Sequence, residues 1–181
     1  MTPILGIMAS QISGHLYAPT GSMFHIASTT LSTATATISF TSIPADYTHL
    51  QIRGVGKSVT SGIWVTLKMN SDTTAANYYS HRLLGNGSAA SASAAAGSTA
   101  GADFTTFYPT GPTAFVTDIL DYTSTNKAKT VRTLSGYDAN GSGELNYMSN
   151  LWQGTAAITT LTFGNTADFE QYTHFSLYGV K

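Results

Sequence analysis

Cysteine is absent from this 181-residue chain, which excludes disulfides, thiolate nucleophiles and cysteine-ligated zinc, and leaves the redox compartment unmarked. Charge is scarce too. Asp, Glu, Lys and Arg make up 9% of the residues, against about a quarter in ordinary soluble proteins. The Lys and Arg residues are scattered singly and the formal net charge is −1, so the basic face that a nucleic-acid binder turns to phosphates is missing. No apolar run approaches the roughly 18 residues of a membrane span. Ile4-Leu5-Gly6-Ile7-Met8 follows no basic residue, is short, and leads into Gln11 and Ser13. It is therefore not read as an export signal, and no membrane span is expected.

Thr, Ser, Ala and Gly fill the space that charge leaves. Solubility then rests on hydroxyls and amides, and β-branched Thr packs well on a pleated surface. A surface of this kind suits a crowded assembly whose members cover one another's faces. At 19.0 kDa the chain has the size of one domain that buries a core by packing alone.

The chain divides near Ser22. Residues 1–21 read as an extended arm, because Pro3, Gly6, Gly14, Pro19 and Gly21 interrupt any regular element while Ile4, Leu5, Ile7, Met8, Ile12, Leu16 and Tyr17 still require burial. These apolar residues are expected to dock on another subunit, the alternative being that the arm folds back on its own domain. Residues 22–181 show the period-two alternation of half-buried strands. Strands are expected at Phe24–Thr29, Ala34–Phe40, His49–Val55, Gly62–Asn70, Asn77–Leu84, Asp103–Tyr108, Ala114–Tyr122, Lys129–Tyr137, Glu144–Trp152, Ile158–Phe163 and His174–Val180. Two Asn-Gly pairs, Asn86-Gly87 and Asn140-Gly141, mark tight turns, the second joining a hairpin. Ser88–Ala102 has no large apolar anchor and is assigned to a surface loop. The expected fold is an all-β antiparallel sandwich, jelly-roll-like, with an N-terminal arm.

Apparent chemical motifs fail on spacing or context. Gly54-Val55-Gly56-Lys57-Ser58 resembles the end of a phosphate loop, but the required earlier glycine is replaced by Gln51 and a strand stands where a helix must open. The five histidines include no close metal-binding pair, although His25, His49 and His174, near strand starts, are candidates to gather at one end of the sandwich. Asp118 and Asp121 point to opposite faces of a strand. Asp138-Ala139-Asn140-Gly141-Ser142-Gly143-Glu144 has the composition of a calcium loop without its register, and reads as a hairpin turn. No Gly-x-Ser-x-Gly elbow is present. The expectation is a protein without catalytic residues, cofactor or metal: not an enzyme.

Aromatics leave room for binding. Trp64, Trp152, Tyr78, Tyr79, Tyr108 and Tyr137 are suited either to core packing or to stacking on sugar rings. Tyr78 and Tyr79 must face opposite ways in a strand, so one of the two is the candidate surface-binding residue. Tyr47-Thr48-His49-Leu50 and Tyr172-Thr173-His174-Phe175 share a strand-entry pattern, each tyrosine being a candidate corner with its hydroxyl bonded to backbone.

Several stretches together resemble tailed-bacteriophage virion proteins: residues 4–14, residues 40–53, Ile119-Leu120-Asp121-Tyr122-Thr123-Ser124, residues 151–158, and the closing Phe175-Ser176-Leu177-Tyr178-Gly179-Val180. This resemblance, to β-rich tail, fibre or minor structural proteins, spans nearly the whole chain. It implies a structural part of the virion, tail-associated and adhesin-like, with a capsid decoration protein on the head as the alternative. The partners it implies are other virion proteins, a second and third copy in a homotrimer, and a host surface glycan or receptor. Assembly would take place in the host cytoplasm.

Overall fold

Alternation is plainest in β4 (Ile63–Met69), where Ile63, Val65, Leu67 and Met69 are buried while Trp64, Thr66 and Lys68 are half-buried on the other face. The computed structural model describes residues 21–181 apart from Ser61 and Ser98, and all but the side chains of Asn165 and Thr166. Ile4, Leu5, Ile7, Met8, Ile12, Leu16 and Tyr17, the expected docking residues, lie outside the described residues.

The remaining strands are β1 (Met23–Thr30), β2 (Thr35–Phe40), β3 (His49–Gly56), β5 (Tyr78–Gly85), β6 (Ala90–Ala96), β7 (Ala102–Phe107), β8 (Thr113–Leu120), β9 (Lys129–Asp138), β10 (Gly143–Trp152), β11 (Leu161–Phe169) and β12 (His174–Val180). One short 3-10 turn, Ala75–Asn77, is the helical content among the described residues. No helix there is long and apolar enough to cross a membrane.

Two antiparallel sheets pack face to face. The larger runs β1-β12-β3-β8-β9-β10-β5-β6 and the smaller β2-β11-β4-β7. Setting aside the hairpins β5–β6 and β9–β10 leaves eight strands in which first pairs with last and second with next-to-last. The third and fourth strands add to these pairs from the inside, which is the wrapped double Greek key of a jelly roll. The two hairpins extend the larger sheet beyond its partner: they pair with each other through β10 and β5. Strand β7, at the edge of the smaller sheet, packs on β8, β9, β10 and β5.

The core between the sheets is dominated by phenylalanine. Phe104, Phe107, Phe163, Phe169 and Phe175 are fully buried, and Phe104 lies 4.8 Å from Phe115 and 4.9 Å from Phe163 in edge-to-face geometry. Each such side chain contributes about 1.5–3 kcal/mol by leaving water. Toward β9, β10 and β5 the interior becomes polar, and hydroxyls meet in pairs such as Thr117–Thr133 at 2.9 Å and Thr105–Ser135 at 2.8 Å. Among the described residues no buried side-chain nitrogen or oxygen lacks a partner.

The all-β sandwich expectation is met, with a correction at Ser88–Ala102. Rather than one loop, this segment contains β6, whose Ala90–Ala96 pairs with Tyr79–Gly85 of β5. Its side chains are too small to show a pattern, so the strand is made by turn chemistry and backbone hydrogen bonds. The glycines of Gly54-Val55-Gly56 belong to β3: a Cβ on Gly56 would lie 2.8 Å from both Phe107 and Thr173. They serve close packing, in line with the rejection of a phosphate loop.

Candidate functional site

Two turns project from one end of the larger sheet. At the first, Asn86 Oδ1 accepts hydrogen bonds from the backbone of Ser88 (3.0 Å) and Ala89 (2.8 Å), and Gly87 supplies φ +83°. At the second, Asp138 Oδ1 accepts from the Asn140 N–H at 2.8 Å, and Gly141 supplies φ +97°. Local chemistry builds each turn, while pairing of Leu145 with Gly85 in β10 and β5 sets them side by side.

Between them lies a cleft of about 570 Å³, walled by both turns and by Pro112, Gly136, Tyr137, Glu144 and Leu145. Tyr137 is held by stacking on Tyr108, with centroids 4.2 Å apart and planes 24° apart. Glu144 Oε1 accepts from Asn146 Nδ2 at 2.8 Å and lies 3.8 Å from the Arg82 guanidinium. Arg82 in turn donates Nε to Asn146 Oδ1 at 2.7 Å and rests 4.6 Å over the Trp64 ring. The Trp64 indole donates to Asp103 Oδ1 at 2.8 Å, completing a chain from Glu144 to Asp103. A smaller cavity of about 170 Å³ opens on the Trp64, Arg82 and Asp103 side of that chain. Burial, then the Glu144 carboxylate and the stacked Tyr137, push the Tyr108 phenol up to about 12, against the opposite effect of Arg82.

Trp64, Tyr108 and Tyr137, named from sequence among the aromatics suited to core packing or sugar stacking, come from three separate elements and are linked through Arg82 and Glu144. Arg82 and Asn146 escaped notice because nothing in their own neighbourhood marks them; the two Asn-Gly turns were the available signal. Tyr78 is corrected: it is 1% exposed, and its hydroxyl accepts from the Met69 N–H and donates to the Asp72 carbonyl. Burial foremost raises it to about 12. It cannot be a surface-binding residue. Tyr79 does face outward, half-buried, in a shallow cavity with His81 and Leu151, on the same face of β5 as Leu83 and toward the other end of the sheet from the two turns.

The histidines do not gather. His49 stands opposite Val180 and His174 opposite Val55, so these two occupy opposite ends of the β3–β12 ladder. His174 and His25 are instead joined across β12 and β1 through Ser176 and Ser28, by contacts of 2.8, 2.7 and 2.7 Å. No group of three or more His, Asp or Glu suited to a metal occurs among the described residues. Asp118 accepts from Gln51, while Asp121, just past β8, meets Lys127 and His49. The tyrosine-corner expectation fails at Tyr172, which is 73% exposed. Tyr122 does that work, its hydroxyl donating to the Pro44 carbonyl.

A second surface lies on the outer face of the larger sheet. Register places Val116, Leu134, Tyr147 and Leu83 side by side across β8, β9, β10 and β5. They are 37%, 50%, 43% and 56% exposed, and Leu145 beside them is 58% exposed. The row is therefore apolar and open to solvent.

No family model matches the chain, and no curated protein matches it. Among solved structures it is similar to the exo-inulinase from Aspergillus awamori, at 11% identity and a TM-score of 0.44 over 87% of this chain. The chain spans 29% of the length of that protein. The expectation that the chain is not an enzyme is withdrawn on this finding, one solved structure it is similar to being that of an exo-inulinase. Neither an activity nor a residue is transferred by a likeness of this extent.

Proposed function

We propose that the chain is a structural subunit of a tailed-phage particle, tail-associated and adhesin-like, attached through residues 1–21 and projecting its jelly roll. The observation that carries this reading is the open row Val116, Leu134, Tyr147 and Leu83 on a chain with 9% charged residues. Contiguous exposed apolar surface marks a face built to be covered by a partner. The jelly roll supports the reading by analogy of fold, since viral coat and lectin domains use it. The resemblance of residues 4–14, 40–53 and 151–158 to virion proteins supplies the particle. Homotrimerisation would cover the row three times over.

Antibody labelling of intact particles tests the proposal. Label is expected on tails, at a copy number divisible by three; label confined to heads would overturn the tail position, and none on particles would overturn virion membership. Removing residues 1–21 is expected to leave a folded domain that no longer joins the particle.

A further inference from the structure

Strand β6 closes one side of the larger sheet, and its sequence leaves that edge open to pairing. The other sheet edges are guarded: β1 carries a bulge between His25 and Ala27, the β2 ladder loses register between Gly164 and Phe169, and β7 is buried along its length. β6 has no such protection. Its seven residues, Ala90-Ser91-Ala92-Ser93-Ala94-Ala95-Ala96, pair with β5 in unbroken register, carry no charge or proline, and are exposed but for a half-buried Ala95. An edge of this kind is a template for another strand. A cavity of about 170 Å³ opens beside it, lined by Trp64, Ser80, Arg82, Ser93 and Asp103 among others. That is below the roughly 300–1,000 Å³ of small-molecule sites and suits a single side chain.

We propose that β6 accepts residues 7–13 of a second copy of this chain as an added antiparallel strand, with the Gln11 amide in the cavity. The proposal rests on the reading of residues 1–21 as a docking arm and locates its acceptor; residues 1–20 lie outside the described residues, and the match is one of sequence. Gly6 and Gly14 bound Ile7-Met8-Ala9-Ser10-Gln11-Ile12-Ser13, a stretch as long as β6 and likewise without charge or proline. Arg82 and Asp103 line the cavity with opposite charges. A basic side chain would be repelled by Arg82 and an acidic one by Asp103, whereas an amide accepts from the guanidinium and donates to the carboxylate. β6 of a second copy has only Ala and Ser to offer. With Gln11 opposite Ser93, whose own partner is Arg82, parity turns Ile12 and Met8 to the other face, opposite Ala92 and Ala96. Ile12 then extends the open row of Leu83, Tyr147, Leu134 and Val116, and Met8 falls in line with Tyr79. A slip of one residue would reverse all of these placements. Reach makes the donor another copy. The chain from Ser13 to Met23 spans at most about 36 Å, but β1 and the added strand stand eight spacings of about 4.8 Å apart. That is about 38 Å before any offset along the strands.

The absence of cysteine makes this register testable by cross-linking. Full-length chains bearing Ile12→Cys and Ala92→Cys separately would be co-expressed and oxidised, and the covalent products weighed by mass spectrometry. A disulfide between the two kinds of chain is expected, since directly opposite strand residues have the Cα separation that a disulfide needs. Gln11→Cys with Ala92→Cys, on opposite faces, should give no more product than the exposed Val59→Cys gives with Ala92→Cys. Sedimentation of the full chain tests the amide. Gln11→Glu should weaken association about tenfold, the effect of one hydrogen bond to a charged group. Adding Asp103→Asn, which keeps an acceptor for the Trp64 indole, should restore it. Links between two Ala92→Cys chains would give the edge to a second β6, and a link formed only within a chain carrying both Ile12→Cys and Ala92→Cys would make the contact internal. Either result overturns the proposal, as does a yield no higher than the Val59→Cys control. Removal of residues 1–21 tests the arm itself, so the acceptor and the arm fail separately.

Discussion

The indole N–H of Trp152 donates to Oδ2 of Asp72 at 2.8 Å, tying the end of β10 to the turn between β4 and β5. Asp72 also accepts from Asn77 Nδ2 at 2.7 Å and from the Thr74 N–H at 2.8 Å. One carboxylate therefore holds a turn, the start of β5 and a core tryptophan in register. This is the joint from which the β5–β6 hairpin, and with it one wall of the cleft, is hung.

Burial raises the Asp72 carboxyl, but the hydrogen bonds from Trp152, Asn77 and Thr74 outweigh it and hold the group at about 2. A carboxylate depressed in the folded state stabilises fully above its unfolded value, about 3.9. That stabilisation is lost as pH falls through the folded value. Urea midpoints of the wild type are expected to drop more steeply between about pH 4 and pH 2 than those of Asp72→Asn. Parallel pH profiles for the two proteins would sink the assignment.

Lys129 is fully buried, with Nζ donating to the carbonyls of Ser124 (2.6 Å), Lys127 (2.9 Å) and Thr155 (3.1 Å). Burial first, then the neighbouring Lys127, lowers its pKa. The ammonium satisfies three loop carbonyls at the foot of β9. Lys129→Met keeps most of the volume and strands those carbonyls, and is expected to cost about 2–4 kcal/mol by equilibrium denaturation. A loss near zero would mean that water replaces the ammonium.

Gly56 and Gly85 predict opposite outcomes for the same change. A methyl at Gly56 meets Phe107 and Thr173 at 2.8 Å inside the core, so Gly56→Ala is expected to destabilise by about 1–3 kcal/mol. At Gly85 the methyl meets open space, and Gly85→Ala should leave the unfolding midpoint unchanged or slightly raised. Thermal melts of the two variants side by side decide this.

The apolar row on the outer sheet face predicts a separation of folding from assembly. Leu134→Asp and Tyr147→Asp place charge on half-exposed positions, where surface substitutions cost within about 0.5 kcal/mol. Both are expected to remain folded by circular dichroism and to lose incorporation into particles. Particles that take up Leu134→Asp at the normal level would refute a role for this face.

Much of the architecture was legible in local pattern. The alternation Ile63, Val65, Leu67, Met69 is written in the chain because a strand's side chains point alternately to its two faces. Asn140-Gly141 announces its hairpin because few other residues adopt positive φ without strain. The strand β6 was not legible: Ala90–Ala96 offers neither large apolar residues nor alternation, and it forms because Asn86 turns the chain back onto β5. Tyr78 and Tyr79 show the boundary clearly, for their opposite directions follow from parity alone. That Tyr78 is the buried one depends on the sheet packed above it.

By itself, then, the sequence determined the strand class, the tight turns, the want of a basic face and of a cysteine framework, all of which rest on residue type and short spacing. Tertiary structure alone decided which turns became neighbours. β10 pairs with β5 across a long stretch of chain, and only that register brings the Asn86 and Asp138 turns to one end of the sheet, Arg82 within reach of Glu144, and Leu83 in line with Tyr147, Leu134 and Val116. The physical reason is that strand pairing joins backbones remote in sequence: local pattern says that a face exists, and pairing says what lies next to it.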